Sequence, residues 1–291
     1  MPRPQWVDLP EQLRGAVEER FGAVTETRSA GPGFTSGVAA RLDTEAGAVF
    51  LKAIPESDRA AGSFVLERDV NRSLPPDMPA PRLLWDAHVQ GWLVMAFECV
   101  DGREPDLSPG SADLPAIIKT VGQITTELTP CPWLEAPPMA REVLRWQRKA
   151  APILEAPGPG LAGCTTAMDA LDFGALSGDT LLHADLHAMN ILVGDDVRIL
   201  DWGLACRGAA WIEVTLFASR LIAQGHTPER AELLVSGLPG WVSAPGQAVT
   251  GLIAVRALFA EYLTRYGPER LRTRRQRTVE ACRAWVSHRT G

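Results

Sequence analysis

The sequence has no apolar run long enough to span a membrane, and its opening Met1-Pro2-Arg3-Pro4-Gln5-Trp6 lacks the apolar core of a secretory signal. Both absences predict a cytoplasmic protein without a membrane partner. Cysteine is scarce: Cys99, Cys131, Cys164, Cys206 and Cys282 are odd in number and nowhere spaced C-x-x-C. That excludes a disulfide framework or a zinc ribbon and predicts reduced thiols. Lysine is scarcer still, with only Lys52, Lys119 and Lys149 in a chain that otherwise uses arginine. A lysine kept against such a bias is a small hint of specific chemistry. There is no internal repeat, and the net charge of −6 denies the broad positive footprint that nucleic-acid binding needs.

The charge is unevenly spread. Residues 101–264 carry 11 Lys+Arg against 19 Asp+Glu, whereas residues 265–291 carry 8 against 2. The basic tail (Arg270, Arg272, Arg274, Arg275, Arg277) reads as a solvated helix face paired with the acidic body. The acidic middle concentrates ligands of opposite sign and points to a cationic acceptor.

What is present suits two packed domains in 291 residues, each with its own core. Leu13, Val17 and Phe21 recur at helical spacing, and Gly22 closes that helix. Short strands are predicted over 24–30, 38–42 and 48–54, then a helix over 56–74. Pro75, Pro76, Pro79 and Pro81 separate it from strands over 82–86 and 92–97. This alternation predicts a small α+β lobe over residues 1–100. Residues 101–291 are mostly helical, with predicted helices over 111–129, 139–151, 160–172, 211–224, 228–236, 245–266 and 268–288.

The densest signal is His183-Ala184-Asp185-Leu186-His187-Ala188-Met189-Asn190, followed eleven residues after Asn190 by Asp201-Trp202-Gly203. Ile191–Val193 and Val197–Leu200 read as a hairpin around Gly194-Asp195-Asp196, delivering Asn190 and Asp201 to one end. An aspartate to accept a hydroxyl proton, with a carboxamide and a second carboxylate for a hard oxygen-loving cation, is the equipment of phosphoryl transfer with Mg²⁺. A chance polar loop does not have this order and spacing. His183 reads as a brace for the loop. His183 and His187 together are no zinc pair, because a loop carries them and no third N or S ligand stands nearby.

Lys52 lies in the third strand, where a lysine can lie over nucleotide phosphates if a carboxylate holds it. Glu67, fifteen residues on and mid-helix, is the candidate partner, with Glu56 and Asp69 as alternatives. The loop Gly31–Gly37, just before the lysine strand, offers Gly33, Thr35 and Ser36 as a phosphate cradle. Asp172-Phe173-Gly174 spells a metal-binding triplet, but it precedes His183 and no hairpin delivers it to Asn190, so it reads as a loop end.

Together these residues resemble the aminoglycoside phosphotransferase family, the small-molecule branch of the protein-kinase-like fold, over nearly the whole chain. The resemblance implies a bilobal α+β fold and ATP- and Mg²⁺-dependent phosphorylation of a small-molecule hydroxyl, with GTP as the alternative nucleotide. It implies Asp185 as catalytic base, Asn190 and Asp201 as magnesium ligands, Lys52 and Glu67 as the phosphate-binding pair, and Phe97, Glu98 and Cys99 within a hinge that receives adenine. Candidate acceptor contacts are Asp179, Trp211, Glu213 and Glu261. Departures touch loop shape: Ala184 replaces a usual glycine, and Glu213 stands where the family has a structural aspartate. Ala184 and the short run from Gly203 to Trp211 leave no place for a protein kinase's activation segment. The acceptor is expected to be an antibiotic, in resistance or self-protection. A metabolic kinase of the sugar-amine, homoserine or choline type is the alternative, and an ATP-binding pseudokinase is the non-enzymatic one. Monomer and homodimer are equally open.

Overall fold

The computed structural model describes residues 4–31, 37–156, 158 and 160–291. The chain divides into two compact units: Met1–Arg103 with Arg198–Leu204, and Glu104–Val197 with Ala205–Gly291.

In the first unit, a 3₁₀ turn at Trp6–Asp8 leads into α1 (Glu11–Phe21), which buries Leu13, Val17 and Phe21. Then come β1 (Val24–Ser29), β2 (Val38–Thr44), β3 (Gly47–Pro55), α2 (Ala61–Ser73), β4 (Leu83–Val89) and β5 (Trp92–Glu98). The strands form one antiparallel sheet in the order β1-β2-β3-β5-β4. The β4–β5 turn places Gln90 at φ 52° and Gly91 at φ 73°, the left-handed pair that lets a two-residue hairpin follow the strand twist.

Alternation along β3 divides its side chains between the two faces of the sheet. Val49, Leu51 and Ala53 join Leu13, Val17, Phe21, Val94 and Ala96 in one core. Ile54 joins Phe64 of α2 with Leu93, Met95 and Phe97 in the other, with Phe50 packed against it. Lys52 therefore shares the α2 face with Phe50 and Ile54. α2 begins five residues later than the periodicity predicts. Asp58 causes the delay: its Oδ1 accepts from Ala60 N at 2.7 Å, a local turn that competes with helix.

The second unit contains α3 (Leu114–Glu127), α4 (Met139–Glu155), α5 (Ala162–Asp169), β6 (Thr180–Leu182), β7 (Ile191–Val193), β9 (Cys206–Gly208), α6 (Trp211–Ala223), α7 (Pro228–Val235), α8 (Pro239–Val242), α9 (Gly246–Tyr266) and α10 (Arg272–Thr290). β8 (Val197–Ile199) lies at the boundary between the units and pairs with β7 as a ribbon. α9 is the hub, packed on α4, α5 and α10. It is buried from Gly251 to Leu258, and Phe259 stacks on Trp146 of α4 at 5.7 Å.

Leu181 and Leu182, immediately before His183, form β6 and pair antiparallel with β9, Leu182 opposite Cys206. Strands of three residues are too short to show a period. Asp172 accepts from Gly174 N at 2.8 Å and caps a 3₁₀ turn at Phe173–Leu176. All five cysteines are free thiols. Among the described residues, no helix is long and apolar enough to cross a membrane.

Candidate active site

In the first unit, Lys52 Nζ lies 2.6 Å from Glu67 Oε1 and 3.3 Å from Asp201 Oδ1. The sheet aims Lys52 at α2, and Glu67 stands three residues beyond Phe64, on the same helix face. Glu56 and Asp69 are engaged elsewhere, with His88 at 2.7 Å and Arg68 at 2.8 Å. Burial pulls the Lys52 ammonium down, but Glu67 and Asp201 outweigh it and hold the lysine charged. The same burial pushes the Glu67 carboxyl up to about 7, against the pull of Lys52. Asp201 differs from Glu67 in access, since its side chain is 57% exposed against 4%. Asp201 sits in the left-handed region at φ 63°. The next residue, Trp202, is buried and donates from Nε1 to Ile199 O at 3.3 Å.

Phe97 is buried at the end of β5, its ring centroid 6.0 Å from Lys52 Nζ. The Glu98 N–H donates to Arg82 O at 2.8 Å, and Cys99 is half-buried with its thiol pushed up by burial. Gly33, Thr35 and Ser36 lie outside the described residues.

In the second unit, Asp185 Oδ1 accepts from Arg220 Nη2 at 2.7 Å, and Asp185 Oδ2 lies 3.5 Å from His187 Nε2. His183 is fully buried and its Nδ1 accepts from Asp185 N at 3.2 Å, so its ring braces the turn it begins. Asn190 Nδ2 donates to Asp185 O at 3.0 Å. With its amide hydrogens turned to that carbonyl, the Asn190 oxygen is the atom left to act as a ligand. Burial lowers the His187 imidazole to about 4, which leaves it neutral at pH 7.

Ala184 occupies the left-handed region at φ 64°, which costs a residue with a Cβ about 1 kcal/mol. Glu213, buried in the first turn of α6, holds that conformation: its Oε2 accepts from His183 N at 2.5 Å and from Ala184 N at 3.0 Å. Burial raises the Glu213 carboxyl. Glu213 is thus a scaffold for the loop, whereas Trp211, which is buried and donates to Ala175 O at 3.2 Å, braces the turn at Ala175. Asp179 is exposed, and Glu261 pairs with Arg265 at 2.7 Å.

Arg220 was not foreseen, though a signal for it exists. In the otherwise apolar α6, Glu213 and Arg220 are the charged residues, seven apart and so on one face. Arg256 stands equally alone in the first fifteen residues of α9. A charge inside an apolar helix needs a partner and so marks a site.

An aspartate fixed on a braced loop, and a half-buried lysine held between two carboxylates, are groups that suit phosphoryl transfer. The model of the phosphotransferase enzyme family matches residues 28–246, and the chain belongs to that family. No curated protein matches by sequence. Among solved structures, the chain is similar to a thermostable mutant of an aminoglycoside phosphotransferase in ternary complex with ADP and hygromycin B. The TM-score is 0.64 and the identity 15%, with 96% of this chain and 99% of that one covered. It is similar to a microcompartment-associated aminopropanol kinase (TM-score 0.61, identity 17%, coverage 95% and 96%). It is also similar to choline kinase from Streptococcus pneumoniae (TM-score 0.62, identity 13%, coverage 94% and 99%). These likenesses establish the α+β, protein-kinase-like fold, with a five-stranded antiparallel sheet and a mostly helical remainder.

Proposed function

We propose that the chain transfers the γ-phosphoryl group of ATP to a hydroxyl of a small molecule, with Mg²⁺ bound by Asn190 and Asp201. The observation that carries this reading is the Lys52 ammonium held 2.6 Å from a buried carboxylate and 3.3 Å from an exposed one. Glu67 keeps the lysine charged and aimed, and the ammonium then serves as a point charge for the phosphates. The donor set fits magnesium: an accessible carboxylate and a carboxamide oxygen supply hard ligands. When bound, the ion neutralises charge on the phosphates.

Asp185 accepts the acceptor's hydroxyl proton as its oxygen bonds to the γ-phosphorus and the bond from that phosphorus to the bridging oxygen breaks, leaving ADP. Arg220 fixes the carboxylate for this task, and the Asn190 and His183 hydrogen bonds fix its backbone. Phe97, Glu98 and Cys99 form the adenine-facing segment in this reading.

The acceptor is read first as an antibiotic, as for the relative crystallised with hygromycin B, and second as a metabolite, as the aminopropanol and choline kinases suggest. A panel of hydroxylated antibiotics, amino sugars and choline with ATP and Mg²⁺, read by ADP release and by mass of the product, tests the activity. Transfer to a protein hydroxyl with none to any small molecule would overturn it.

A further inference from the structure

Three arginines from three helices act on Asp185, Arg220 in contact and Arg256 and Arg274 at longer range, and the motif reading accounts for none of them. Arg220 of α6 holds the carboxylate at 2.7 Å. Arg256 of α9 is 7% exposed, and its Nε has no hydrogen-bond partner among the described residues. Arg256 also hydrogen-bonds the Cys282 thiol, which burial keeps neutral and which therefore supplies no counter-charge. Arg274 of α10 donates to Met189 Sδ at 3.2 Å, again a neutral acceptor.

Burial pulls Arg256 down to about 10, and Arg220 and Arg274 add to that, against Asp185. Burial and Arg220 likewise lower Arg274, with Asp185 and Glu104 opposing. His187, facing Asp185, is neutral and offsets nothing. Arg274 lies in the first turn of α10, a turn with no acidic residue. There the helix dipole is positive and disfavours a further cation. Arginines collected at such a cost, one with an unmatched buried N–H, form a receptor for negative charge.

We propose that the acceptor is an anionic alcohol, a hydroxyl compound bearing a carboxylate, phosphate or sulfate group, which Arg256 and Arg274 receive while the hydroxyl meets Asp185. This rests on the phosphotransfer reading above and reverses the acceptor sign that the acidic middle of the sequence suggested. Bulk charge counts the surface, whereas the acceptor meets only the side chains beside Asp185.

Four small probes of similar size separate the possibilities: glycerate, glycerol 3-phosphate, glycerol and choline, each with ATP and Mg²⁺. At least one anionic member is expected to exceed glycerol and choline in kcat/KM by roughly tenfold or more, the factor one charge-assisted hydrogen bond supplies. Which anion leads distinguishes a hydroxy acid from a phosphorylated alcohol. Arg274→Gln, at a half-buried position, is expected to raise the KM of the favoured anion at least about tenfold without the same effect on glycerol.

Higher kcat/KM for choline or glycerol would overturn the proposal and leave phosphotransfer standing. A rise in the KM of ATP rather than of the acceptor in Arg274→Gln would assign the arginines to the nucleotide and overturn it too. If no probe is phosphorylated, calorimetric titration with inorganic phosphate decides. Binding weakened in Arg274→Gln and Arg256→Gln, but not in the exposed Arg277→Gln, supports the anion site. Equal or absent binding in all four proteins removes it.

Discussion

The two constellations are built with opposite signs. Lys52 is one cation between two carboxylates, Glu67 and Asp201. Asp185 is one carboxylate with Arg220 in contact and Arg256 and Arg274 acting on it at longer range. In the first, the excess negative charge lies on the exposed Asp201, the group suited to a metal. In the second, the excess positive charge lies on buried or half-buried guanidinium groups. A net charge of −6 describes neither. Each half of the chemistry works with a local field that its own helices and strands assemble.

The largest effect is expected from removing the lone anion of the second constellation. Asp185→Asn keeps the shape but not the basicity, and turnover should fall by about 10²–10⁴-fold while nucleotide affinity persists. ADP release and nucleotide titration measure the two. Unchanged turnover would mean that another group takes the proton.

Removing the lone cation of the first constellation should appear in stability as well as activity. Lys52→Met leaves Glu67 buried without its partner, at a cost of about 3 kcal/mol. Adding Glu67→Leu should recover much of that, and a double-mutant cycle by denaturant unfolding measures the coupling. Strict additivity would deny the pair any energetic role.

A smaller effect follows from pH at the second constellation. The His187 imidazole lies near 4 in the fold, below its ordinary 6.5. Between those values the unfolded chain binds more protons. The stability His187 contributes is therefore present above pH 6.5 and lost as pH falls toward 4, on the order of 2–3 kcal/mol. In His187→Gln the unfolding free energy should depend less on pH across that window. Superimposable profiles would mean that other groups set it.

The smallest expected change is a gain. Ala184→Gly relieves a left-handed residue and should stabilise the protein by about 0.5–1 kcal/mol, read as a rise in melting temperature. No gain would mean that the Glu213 clamp already absorbs the strain.

Most of the architecture was legible because it rests on long periodic segments: Leu13, Val17 and Phe21 define α1, and alternation along β3 aims Lys52. The local motif was legible because its groups are close in sequence. What escaped was set by tertiary contact. Three-residue β6 and β9 exist only as each other's partner, and the helix expected from residue 56 yields to the Asp58 turn. Glu213 and Trp211, expected among the acceptor contacts, are buried supports of the catalytic loop and of the turn at Ala175. Arg220, Arg256 and Arg274 reach Asp185 from helices 35, 71 and 89 residues away in sequence, distances over which no spacing rule operates.

The seven-residue interval between Glu213 and Arg220 has a mechanical meaning. Two turns of one helix separate them by about 10.5 Å along its axis. Glu213 grips the backbone of His183 and Ala184 and Arg220 grips the Asp185 carboxylate, so a single rod holds both the turn and the side chain it carries. That rod is buried along nearly its whole length. The proton acceptor therefore inherits the stiffness of the interior rather than the looseness of a surface loop. Enlarging Phe217 or Leu221 at the rod's core would shift both grips together.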